Sequence, residues 1–117
     1  MNISDEKPPK TTLRVHGWRD LPADENSVCY KVADRTGNTF EVWAKGKRRR
    51  VLEGLCKAPI YSASNCRISD HVDHLRRDGV DIETTLYRND DETGRERFGV
   101  YTLQGSVSPI SEQENAA

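Results

Sequence analysis

Lys45, Lys47, Arg48, Arg49 and Arg50 place five cations within six residues. Side chains of this kind neutralise phosphates and release counterions, which gives sequence-independent and steeply salt-dependent binding to nucleic acid. A second polar group follows at Asn65, Arg67, Ser69, His71, His74, Arg76 and Arg77. Asn65 or Ser69 can bond a phosphate where a helix starts and backbone N–H groups are free, while His71 and Arg76 carry groups able to read base edges. Arg95 and Arg97 could enter a minor groove, but Asp90, Asp91 and Glu92 stand just before them and repel phosphate. Pairing of these acids with the arginines is the competing reading. Cys56, Cys66, His71 and His74 have poor spacing for structural zinc, and Cys56 reads better as a buried apolar side chain, so no metal is expected. The sequence contains no G-x-S-x-G, H-E-x-x-H or glycine-rich phosphate loop, so neither an enzyme nor a cofactor is expected.

The elements that must position these groups follow from periodicity. Leu13 and Val15 alternate with Thr12, Arg14 and His16 until Gly17, predicting a short strand. Residues 28–33 and 39–44 are β-rich and flank Asp34, Arg35, Thr36, Gly37 and Asn38, predicting a hairpin with Phe40 and Val42 on one face and Glu41 and Trp43 on the other. Val51, Leu52, Leu55 and Cys56 then recur at helical spacing, and Pro59 restricts Ala58, which predicts a helix over 47–57. Gly54 costs it about 1 kcal/mol relative to Ala, so tertiary packing must help hold it. Ile68, Val72 and Leu75 predict a second helix over 66–77 ending at Gly79, with space for only one helical turn near 62–65. Val80, Ile82, Thr84 and Leu86 predict a strand to Arg88. Phe98, Val100 and Thr102 predict its antiparallel partner across a polar loop.

Residues 1–11 and 105–117 are polar and lack hydrophobic periodicity, predicting flexible tails around a single domain at 12–104. The net charge is −1, from 18 Lys and Arg against 19 Asp and Glu, without the basic excess of a DNA-packaging protein. The charge is nevertheless segregated: residues 12–58 carry ten Lys or Arg against six Asp or Glu, and residues 79–103 carry three against six. Three cysteines at irregular spacing argue against a disulfide framework and for a reducing, cytoplasmic setting. No stretch reaches the roughly 18 apolar residues of a membrane span.

The stretch from Arg48 through Val51, Leu52, Leu55 and Cys56, then Arg67 to Gly79 with its Leu75-Arg76-Arg77-Asp78-Gly79 ending, then Ile82-Glu83-Thr84, resembles small winged-helix proteins of phages, prophages and bacterial genomes. The resemblance covers about 48–103. It implies an α+β winged helix-turn-helix with a C-terminal β-hairpin wing, here carrying an N-terminal β-strand and hairpin extension at 12–44 that the family does not explain. It also implies binding of double-stranded DNA by a transcriptional regulator or accessory factor, with helix 66–77 in the major groove. Asp70 and Asp73 on that helix, and the shortened segment between Pro59 and Arg67, depart from the pattern. The alternative expectation is a protein-interaction module or DNA mimic whose acidic wing, net −3 over 79–103, meets a basic protein partner. A homodimer would use the 12–44 extension.

Overall fold

A computed structural model describes residues 3–4, 6–22, 24–64 and 67–112 of the chain. The elements run β1 (Ile3–Ser4), β2 (Leu13–Val15), a 3-10 turn (Trp18–Asp20), β3 (Val28–Ala33), β4 (Thr39–Ala44), α1 (Gly46–Lys57), β5 (Ile60–Ser62), α2 (Ile68–Arg77), β6 (Ile82–Arg88), β7 (Arg97–Leu103) and β8 (Ser106–Glu112). Two sheets form: a five-stranded one in the order β1-β6-β7-β5-β2 and a three-stranded one in the order β4-β3-β8. Among the described residues no helix is long and apolar enough to cross a membrane.

The expected winged helix-turn-helix is overturned. That architecture needs about three helices, whereas the described residues form eight strands and two α-helices. The decisive segment lies between Pro59 and Arg67, where the chain forms β5 and not a helix. Ile60 and Tyr61 are both buried but point to opposite faces, as successive strand residues must. Ile60 joins the main core with α1 and α2, and Tyr61 joins a second cluster with Tyr87, Phe98 and Val100. Consecutive side chains of a helical turn stand only about 100° apart, so a helix there could not send the two to opposite faces.

The main core fastens the N-terminal hairpin to the helices. Val28, Tyr30, Val32, Val42 and Ala44 from β3 and β4 pack with Val51, Leu52 and Leu55 of α1 and with Ile68, Val72 and Leu75 of α2. The β3–β4 register, Tyr30 opposite Val42 and Lys31 opposite Glu41, puts Phe40 and Val42 inward and leaves Glu41 and Trp43 exposed, as the alternation requires. Gly54 is the close-approach point of α1: a Cβ there would lie 2.7 Å from Leu21 Cδ2, so packing against Leu21 offsets its weak helix propensity.

Both segments read as tails contribute strands. Ile3 and Ser4 pair in parallel with Leu86 and Tyr87, and β8 pairs antiparallel with β3, with a register shift between Cys29 and Tyr30. Cys56 is exposed on α1, not buried as its place in the helical pattern suggested, and Cys66 lies outside the described residues.

Candidate nucleic-acid interface

The basic run splits by helical geometry. Arg49 is 7% exposed and turned inward: Nε donates to the Tyr30 hydroxyl at 2.9 Å, and Nη1 donates to Asn26 O at 3.0 Å and pairs with Asp24 at 2.8 Å. Arg50 donates to the carbonyls of Pro22 and Trp18 and pairs with Glu25 at 3.0 Å. These two arginines tie the 18–26 segment to α1. The first turn of α1 holds no acid and Lys45 makes no side-chain cap, so cations crowd the positive end of the helix dipole. Asp24 and Glu25 supply the compensating charge from within the chain.

Lys45, Lys47 and Arg48 are not turned inward as Arg49 is. Lys45 and Lys47 are exposed, and Lys47 Nζ lies 5.5 Å from the centroid of the Trp18 ring. Arg48 is half-buried, and its Nε is enclosed with no hydrogen-bond partner among the described residues. His71, from α2, meets the same indole edge-on at a centroid distance of 5.5 Å. Burial, then the charge of Arg48, hold the His71 imidazole below its ordinary value against the opposing pull of Asp70. Three sequence-distant elements therefore bring Lys47 and His71 together around Trp18, with the charge of Arg48 felt at His71. The sequence reading did not include Trp18 in this group.

Helix α2 buries Ile68, Val72 and Leu75 completely, which fixes the direction of the rest. Its outermost row is Asp70, Asp73 and Arg77. Arg67, at the N-cap with a left-handed φ of 61°, pairs with Asp70 at 2.9 Å, and His74 Nδ1 lies 3.9 Å from Asp78. Arg76 turns to the sheet, donating to Ile82 O at 3.0 Å and Thr84 Oγ1 at 2.6 Å, with its guanidinium 5.9 Å from the Tyr101 ring centroid. It clamps α2 to β6 and does not reach the cluster at Trp18. Ser69 lines a groove of 310 Å³ with Arg67, Arg95, Ser64 and Tyr101, and Asn65 lies outside the described residues.

The two arginines of the β6–β7 loop diverge. Arg95 donates to Ser62 O at 2.7 Å and sits 5.6 Å from the Tyr61 ring centroid, whereas Arg97 is exposed beside Ile3 and Glu96. Asp90 and Glu92 pair with Arg14 of β2 and with His16 just beyond it, and not with these arginines. Asp90 is 7% exposed, accepts from Arg14 Nη2 at 2.7 Å and from the Tyr61 hydroxyl at 2.9 Å, and is wrapped by Thr93. Glu92 pairs with Arg14 and His16, each at 2.9 Å. No local spacing links Arg14 to Asp90, so this use of Arg14, His16, Tyr61 and Thr93 is not legible in the sequence.

Comparison of the chain with family models, curated proteins and solved structures finds no match.

Proposed function

We propose that the chain binds duplex DNA through phosphate contacts along the edge where the first turn of α1 meets α2. The observation that carries this reading is the convergence of Lys47 and His71 on Trp18, with Arg48 close enough to His71 to join burial in holding its imidazole down. An exposed lysine over an aromatic ring, followed in sequence by a half-buried arginine, is suited to holding a phosphate backbone. Base reading by the exposed ridge of α2 is disfavoured, because Asp70 and Asp73 face outward there. An acidic-wing partner site has less support still, since Asp90 is buried and Glu92 is engaged by Arg14 and His16 within the chain.

Fluorescence anisotropy of a labelled random-sequence duplex, titrated at several salt concentrations, tests the reading. Wild-type protein should bind at low salt with a log–log slope near −3, reflecting about three phosphates at 0.9 each. Lys47→Ala with Arg48→Ala should flatten the slope by about 2 and weaken all sequences alike. Arg49→Ala and Arg50→Ala should instead lower the unfolding midpoint. An unaltered slope in the double variant, or no binding at low salt, would overturn the proposal.

A further inference from the structure

Among the described residues the three-stranded sheet leaves one edge unprotected. Exposed strand edges recruit further strands unless they are short, bulged, interrupted by proline, or carry charges that repel the incoming strand. The edge strands of the larger sheet, β1 and β2, are two and three residues long, and β8 carries Pro109 and a register shift against β3. Strand β4 has six residues in unbroken register with β3 and contains no proline. Extended geometry continues to Lys45, with φ −146° and ψ 167°, so Glu41, Trp43 and Lys45 fall on one face, and all three are exposed. Trp43, 54% exposed, and Ile110, 46% exposed, are the large apolar side chains left to solvent among the described residues. Ile110 lines a depression on this outer face with Lys31 and Glu41.

We infer that β4 pairs antiparallel with β4 of a second copy of this chain, with the two-fold axis at Trp43. The hairpin bond from Asp34 N to Asn38 O sets the alternation, so Val32, Tyr30 and Val28 exchange hydrogen bonds with Phe40, Val42 and Ala44. Residues 39, 41 and 43 then direct their N–H and C=O groups to the open edge. The sequence Glu41-Val42-Trp43-Ala44-Lys45 is self-complementary about its centre. With Trp43 opposite its own symmetry mate, Glu41 of each copy faces Lys45 of the other, giving an aromatic pair flanked by two opposite-charge pairs. A register centred on Glu41 would instead juxtapose like charges. The axis at Trp43 is therefore selected by charge, and the occupant is a second copy because the same five residues supply both halves. The pairing does not depend on DNA binding. It sets the two α1 first turns, which begin at Gly46, on either side of the axis.

Sedimentation equilibrium of the full chain over a range of concentrations reads the pairing directly. Wild-type protein should approach twice its 13.3 kDa chain mass. Glu41→Lys and Lys45→Glu, each placing like charges across the axis, should each weaken association at least tenfold, and the double swap Glu41→Lys/Lys45→Glu should restore it. Trp43→Ala should also dissociate the dimer, with circular dichroism confirming that each variant remains folded. A wild-type protein that stays monomeric, single reversals that leave the dimer intact, or a double swap that remains monomeric would each overturn the inference.

Discussion

Asp90 shows how a side chain can look functional in sequence and be structural in space. Burial alone would raise its carboxyl, but hydrogen bonds from Thr93, Arg14 and Tyr61 outweigh that and hold it well below the usual carboxylate range. A depressed native-state value stabilises the fold above the ordinary value of 3.8, and the contribution is lost as pH falls through the lower native value. Asp90→Asn should therefore cost about 2 kcal/mol at pH 7, the modest end for a buried pair because Arg14 is partly solvated. The difference from wild type should shrink progressively below pH 4. Urea unfolding midpoints at neutral pH and at pH 3 measure this, and an equal loss at both would refute the assignment. Neither this role nor the inward turn of Arg49 and Arg50 was legible in sequence. A charge run shows its sign and solubility, whereas Tyr30, Asn26 and Asp24 become neighbours of Arg49 only after the hairpin folds onto α1.

Strands and helices with a clear period were legible. The β3–β4 hairpin matches 28–33 and 39–44, and α1, α2, β6 and β7 fall within two residues of their expected bounds, because each buries one face and so repeats its apolar residues regularly. Strand β5 buries both faces over three residues, leaving no alternation to read, and its Ser62 end resembles turn chemistry. Strand β8 is hidden by serines and Pro109, an edge composition that lowers strand propensity without preventing pairing. Its attachment depends on Gly105, whose φ is +63° and whose missing Cβ would lie 2.0 Å from the Ala33 carbonyl oxygen. Gly105→Ala should thus destabilise by more than about 2 kcal/mol and expose β3 amides to hydrogen exchange. Gly94→Ala, with φ +75° and open space around it, supplies the control and should cost only about 1 kcal/mol of backbone strain. Equal costs at the two positions would mean that the approach to Ala33 is not what holds β8.

Charge segregation along the chain closes on itself in the folded molecule. Arg14 and His16 meet the β6–β7 loop, Arg35 meets Asp81 and Glu83, and Arg49 and Arg50 meet Asp24 and Glu25. The apolar residues close the same way, with the 12–44 segment supplying Val15, Leu21, Val28, Tyr30, Val32, Val42 and Ala44 to the core that α1 and α2 share. The segment once read as an extension is therefore half of the packing. A winged-helix unit over 48–103 would fold by itself. In this molecule, removing residues before 45 uncovers the core faces of Val51, Leu52 and Val72 and leaves Arg49 without Tyr30, Asn26 and Asp24. Losing that much apolar contact is comparable with the whole of the roughly 5–15 kcal/mol that sustains an ordinary domain. The fragment 45–112 should consequently show no cooperative thermal transition by circular dichroism, while the full chain melts in a single step reported alike by far-ultraviolet signal and tryptophan fluorescence. A sharp melt in the fragment would show that α1, α2 and the larger sheet form an independent unit, and the single shared core would then be the wrong description of this molecule.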